Sequence, residues 1–66
     1  MMLAVTNKNG NYVKLTGSFN IETGDFGFEC STNVMGERTL RTQDFGNVSE
    51  MYRKFSAEIL GEGKVA

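Results

Sequence analysis

The residues best suited to chemistry are three carboxylates that lie close together in the chain, Glu22, Asp25 and Glu29. A metal site is one use for them, but Ca²⁺ takes about six to eight oxygen ligands from a folded loop, and only Asp25 falls in a predicted turn. General acid–base catalysis is another use, and it needs a concave, partly desolvated site that separates two carboxyl pKa values. A small sheet rarely forms such a site. We therefore predict a solvated polar face or an acidic contact patch for a basic partner.

Cys30 is the other side chain that could react, and it is the only cysteine in the chain. A catalytic thiol needs a neighbouring base, and the sequence contains no histidine. Cys30 also continues the alternation of Phe26 and Phe28, which predicts a small side chain buried in the core. We predict a protein that is not an enzyme, with no catalytic residue, no metal ligand and no cofactor.

Two short motifs occur in nucleotide enzymes but lack their usual context here. Asp-Phe-Gly appears at 25–27 and at 44–46, yet in protein kinases this triplet works with a catalytic loop and a nucleotide lobe, for which 66 residues leave no room. The segment 61–64, Gly-Glu-Gly-Lys, is similar to the end of a phosphate-binding loop, but Val65 stands where that motif has Ser or Thr. The first motif indicates shared turn chemistry, and the second predicts a frayed tail.

Charge and length exclude several classes of protein. With seven basic and eight acidic residues the net charge is −1, whereas proteins that hold duplex nucleic acid present a basic surface. DNA mimicry needs a dense negative field, which this balance does not supply. The lone cysteine and the absence of a charged leader or a long apolar run predict a cytoplasmic protein that does not enter a membrane. One domain, 1–66, has a thin core, so self-association is an available source of stability.

The first two thirds of the chain alternate with the period of strands. A strand over Met2 to Thr6 is followed by Asn9-Gly10, the strongest local signal for a type I′ hairpin turn. Alternation then continues over 12–22, and we predict one long strand kinked at Gly17, because period 2 is kept across that glycine.

A second hairpin follows, and its register depends on the turn. A two-residue turn at Thr23-Gly24, or a four-residue loop over 22–25, pairs Ile21 with Phe26 and Phe19 with Phe28. Beyond it we expect a loop over 33–36 and a strand over 38–42 with Leu40 directed inward, in a register that the sequence does not determine.

From Asn47 to Leu60 the period changes to that of an amphipathic helix. Asn47 followed by Glu50 matches the capping-box pattern at a helix start, and Gly61 occupies a position that predicts a left-handed C-cap. We expect the helix to cover the sheet face that carries Val13, Leu15, Phe19 and Phe28. Five apolar side chains fall on one helical face: Val48, Met51, Tyr52, Phe55 and Ile59.

These elements predict an α+β fold, a small antiparallel meander of four to five strands with one C-terminal α-helix packed on one face. The sheet takes 1–42, the helix 47–60 and the tail 61–66. A five-stranded barrel closed by a helix, the element order of SH3-like chromatin proteins, is the alternative topology. Those proteins are strongly basic, so the analogy does not extend to function.

Elimination leads to a function in binding. The leading hypothesis is a small non-enzymatic regulator or inhibitor that occludes a surface of a larger protein or complex, and such compact chains are common among phage and mobile-element accessory proteins, including anti-defence proteins. The uncovered sheet face is the expected contact surface. Its candidate residues are Tyr12, Lys14, Asn20, Glu22, Asp25 and Glu29.

Two alternatives remain. Single-stranded nucleic acid could stack on an aromatic ring flanked by cations, if Tyr12, Lys14, Arg38 and Arg41 lie together. A homo-oligomer could form through an exposed sheet edge or through Leu60, which falls outside the apolar helix face.

Overall fold

The computed structural model describes residues 1–61, in which four strands form one antiparallel sheet and a helix packs on one of its faces. The strand order β1-β2-β3-β4 is a meander, which confirms the predicted α+β fold. It leaves β1 and β4 as the two edges of an open sheet, in contrast to the barrel alternative. The predicted tail beyond Gly61 lies outside the described residues. The elements are β1 (Met2–Lys8), β2 (Asn11–Phe19), β3 (Phe26–Thr32), β4 (Arg38–Thr42) and α1 (Phe45–Leu60).

The first hairpin forms as predicted. Asn9 and Gly10 have φ of 55° and 82°, and Lys8 pairs with Asn11, which is the geometry of a two-residue type I′ turn. β1 is two residues longer than predicted because its pairing continues up to this turn. β2 runs unbroken through Gly17, where an added Cβ would meet Leu3 Cδ1 at an ordinary contact distance of 3.4 Å.

The second hairpin differs from the prediction in register. β2 ends at Phe19 rather than at Glu22, Phe19 pairs with Phe26, and Gly17 pairs with Phe28. The cause is an Asx turn: Asn20 Oδ1 accepts hydrogen bonds from the backbone N–H of Glu22 at 2.9 Å and of Thr23 at 3.3 Å.

The same loop is closed by its backbone. The Asn20 N–H donates to the Asp25 carbonyl at 2.7 Å. The turn thus spans 20–25, and Ile21 lies in it rather than in a strand.

The core lies between α1 and the middle of the sheet. Cys30 is fully buried, which confirms its predicted place in the core, and burial raises the pKa of its thiol. Leu40 packs against the core from β4, also as predicted. The helix contributes all five of its predicted apolar side chains, with Val48 and Phe55 buried and Met51, Tyr52 and Ile59 packed around them.

The helix begins at Phe45, two residues before the predicted start. Its N-cap is Asp44, whose carboxylate accepts a hydrogen bond from the Gly46 N–H at 2.9 Å. The predicted capping box at Asn47 is therefore wrong: Asp44 is also a strong capping residue, and it stands earlier in the chain. At the other end, Gly61 has φ of 79° and donates to the carbonyls of Ala57 and Glu58, which confirms the C-cap.

Alanine substitutions distinguish the two N-cap assignments. Asp44→Ala removes the acceptor for the Gly46 N–H, one of the free amides of the first helical turn, so we expect the free energy of unfolding to fall by about 1 kcal/mol. Asn47→Ala, inside the first turn, should change it by less than about 0.5 kcal/mol. Urea denaturation followed by circular dichroism measures both. A larger loss from Asn47→Ala would contradict the assignment.

Candidate protein-binding site

The face of the sheet turned away from α1, here called the outer face, is mainly polar, although Met2 and Val5 of β1 are exposed apolar side chains on it. Side chains directly opposite one another in antiparallel strands share a face, and the register places Tyr12, Lys14 and Glu29 there, as predicted. Arg41 Nε donates to Glu29 Oε2 at 2.5 Å, and Lys14 Nζ lies 5.9 Å from the centre of the Tyr12 ring. The charges of this face are largely paired with neighbours, as in a solvated surface.

The other predicted contact residues lie elsewhere. Asn20, Glu22 and Asp25 are in the exposed loop 20–25 at one end of the molecule. Asn20 organises this loop through its side-chain hydrogen bonds, so its role is positioning.

The residues of the nucleic-acid alternative are not all brought together. Arg38 pairs with Thr32, and Thr32 pairs with the buried Val13, so Arg38 lies on the helix side of the sheet. Tyr12, Lys14 and Arg41 lie on the outer face.

The most exposed apolar surface of the described residues is at the end of the sheet near loop 20–25. We call it the aromatic end and define it by Met1, Phe19, Ile21, Phe26 and Phe45. Phe19 is 67% exposed and Ile21 86%, while Phe26 and Phe45 are each 48% exposed. The prediction that the helix covers Phe19 is therefore wrong.

The helix begins beside Phe28 and contributes only its first residue, Phe45, to this end. Phe28 pairs with Thr42, the last residue of β4, and α1 starts three residues later. The Phe19–Phe26 pair extends beyond this point with no β4 residue beside it. The long axis of the molecule is accordingly 47 Å against 22 and 18 Å across.

The aromatic end is ordered by its own contacts. The Phe28 ring lies 6.1 Å from that of Phe26 and 5.1 Å from that of Phe45, both at steep interplanar angles. Such edge-to-face pairs stabilise by about 0.5 to 1.5 kcal/mol beyond burial. Met1 is held by backbone hydrogen bonds of 2.7 and 2.8 Å to Gly17. The exposed rings are therefore presented on a fixed backbone.

Two shallow depressions share Phe19 and Phe26 as walls. The first, the apolar groove, has a volume of about 610 Å³ and is lined by Met1, Gly17, Ser18, Phe19, Phe26 and Phe28. The second, the acidic depression, measures about 450 Å³ and is lined by Ser18, Phe19, Asn20, Ile21, Asp25, Phe26 and Gly27.

These depressions offer contact area rather than reactive groups. Asp25 is the one ionisable side chain that lines either of them. Within residues 1–61, no three metal-ligating side chains come close enough to hold an ion. No helix in that part of the chain has the length and apolar character needed to cross a membrane.

Sequence reasoning missed the aromatic end, although one signal for it was available. Asn20 before Glu22 and Thr23 is typical of an Asx turn, which shortens β2 and exposes Ile21.

Comparison of the chain with protein-family models, with curated proteins and with solved structures found no match.

Proposed function

We propose that this chain is a small non-enzymatic protein-binding module, a regulator or inhibitor that occludes a surface of a larger protein with its aromatic end. The observation that carries the proposal is the cluster of exposed Phe19, Ile21, Phe26 and Phe45 side chains at one protruding end. Contiguous apolar patches of this kind mark interaction sites on soluble proteins, and aromatic anchors dominate the binding energy of interfaces.

The binding free energy available from this apolar contact is moderate. Burial of the parts of these four side chains now exposed would contribute about 4 to 7 kcal/mol, at about 1.5 to 3 kcal/mol for each fully buried side chain. A micromolar complex needs about 8 kcal/mol net of the cost of association. The partner must therefore also make polar or charged contacts around the apolar centre.

The single-stranded nucleic-acid alternative has less support. Arg41 is paired with Glu29, and Arg38 lies on the opposite side of the sheet from Tyr12. A cationic aromatic platform needs these groups on one surface.

Affinity capture with matched variants tests the proposal. The tagged chain is used to capture proteins from a lysate of its source cells, followed by quantitative mass spectrometry. In the test variant, Phe19→Thr and Ile21→Ser remove two exposed apolar side chains from the aromatic end. The control, Val5→Thr, removes a side chain that is 50% exposed on the outer face.

We expect one partner protein to be retained by the wild type and by Val5→Thr, and to fall at least tenfold with the test variant. Circular dichroism confirms that each variant is folded. A partner that is insensitive to the test variant, or lost with Val5→Thr, would contradict the proposal. Recovery of nucleic acid in place of a protein would favour the alternative.

A further inference from the structure

We infer that the partner surface carries a lysine or arginine next to an apolar anchor, with the anchor in the apolar groove and the basic side chain in the acidic depression. This rests on the proposed function and adds the chemistry of the partner. Ser18, Phe19 and Phe26 line both depressions, which therefore adjoin one another, and two neighbouring side chains of one segment can fill them together.

The lining of the acidic depression matches a long basic side chain. Phe19, Ile21 and Phe26 supply apolar walls, and Asp25 supplies a carboxylate. Lysine and arginine pack their apolar stems on such walls while the charged head stays at the surface. A cation over a phenylalanine ring adds an attraction of about 0.5 to 1 kcal/mol at an exposed site.

The Asp25 carboxylate is available for this contact. Its backbone N–H is held by Thr23 Oγ1 at 3.2 Å, and its carbonyl accepts the Asn20 N–H at 2.7 Å. The ion pair of residues 1–61 joins Arg41 to Glu29 and does not involve Asp25. The backbone thus presents a carboxylate that has no cationic partner within the described part of the chain.

The charges around the aromatic end select among possible occupants. Glu22 lies in the same loop as Asp25, and Asp44 precedes Phe45. Within residues 1–61, these three carboxylates stand against one cationic group at this end, the Met1 ammonium, which donates to the Gly17 carbonyl at 2.7 Å. Lys8 and Arg38 lie toward the opposite end of the sheet. A second copy docked through the same patch would bring like carboxylates together, and phosphate groups would be repelled. A basic protein segment is the occupant whose charge is complementary.

Titration with designed peptides tests this inference. The probe is Gly-Lys-Lys-Leu-Phe-Lys-Arg-Gly, and two matched peptides carry Ser or Glu at the four charged positions. Each is added to the ¹⁵N-labelled chain, and amide shifts give both the location and the Kd. We expect shifts concentrated at 19–27 and a Kd for the basic peptide at least tenfold lower than for the Ser peptide.

Charge variants separate a specific contact from general attraction. Asp25→Asn should raise the Kd of the basic peptide about three- to tenfold. Glu58→Gln, an equal charge change on the exposed side of α1, should leave it unchanged.

Each contrary outcome overturns the inference. Equal binding of the Ser peptide at 19–27 would show an apolar site without charge preference, which leaves the proposed function intact. Tighter binding of the Glu peptide, an equal effect of Glu58→Gln, or no shifts at 19–27 with any peptide would also overturn it. Failure of the proposed function itself is detected separately, by the capture experiment.

Discussion

Replacement of Phe55 by alanine is expected to remove a large part of the stability of this protein at 25 °C and to lower its urea midpoint sharply. Phe55 is 6% exposed and lies in the core cluster with Val13, Leu15 and Val48. Truncation of a buried phenylalanine costs about 3 to 5 kcal/mol through lost burial and the cavity that remains. The total stability expected for 66 residues is about 3 to 10 kcal/mol. The expected loss is therefore a large part of the total free energy of unfolding.

Far-ultraviolet circular dichroism with a urea titration measures this effect. The control is Arg53→Ala, which truncates an exposed side chain on the same helix and should change stability by less than about 0.5 kcal/mol. If Phe55→Ala keeps the wild-type urea midpoint, α1 does not pack on the sheet as described.

Thr32→Val is expected to have the second largest effect on stability, a loss of about 1 to 3 kcal/mol. Thr32 is fully buried. Its Oγ1 donates to the Tyr12 carbonyl at 2.7 Å and accepts the Val34 N–H at 3.1 Å. Valine has nearly the same shape but no hydroxyl, so it leaves the Val34 N–H without this acceptor.

The matched control is Thr39→Val, the same substitution at an exposed position of β4. Thr39 Oγ1 lies 3.2 Å from Ser31 Oγ, so the substitution removes a contact with another hydroxyl rather than with a backbone group, and we expect the free energy of unfolding to fall by less than about 1 kcal/mol. Thermal and urea denaturation give both values. Equal losses from the two variants would mean that the buried hydroxyl contributes no more than an exposed one.

The attachment of the helix explains why the aromatic end is uncovered. Thr6 Oγ1 lies 2.7 Å from Tyr52 Oη and 2.9 Å from Ser56 Oγ. These contacts tie the second half of α1 to β1, at the level where Thr6 pairs with Val13. Since the helix begins beside Phe28 and is attached here, the sheet beyond Phe28 has no helical cover. The exposed rings are a consequence of where the helix is placed.

The sequence by itself determined the features that depend on local chemistry. The Asn9-Gly10 turn, the left-handed cap at Gly61 and the strand over 38–42 follow from backbone preferences and period. The apolar face of α1 and the burial of Cys30 follow from side-chain spacing alone. These signals act over a few residues, and no distant contact overrides them.

Only the tertiary structure decided how much of the candidate site the helix leaves uncovered, whereas the register of its hairpin depends on a local turn that the alternation does not reveal. Moving the second hairpin by two residues keeps every side chain on the same face, so alternation does not distinguish the predicted register from the observed one. The Asn20 turn makes that choice. Alternation likewise shows which face of a strand is apolar, but not how far along that face the helix reaches. The contacts of α1 with Phe28 and Thr6 set that reach, and they leave Phe19 and Phe26 exposed.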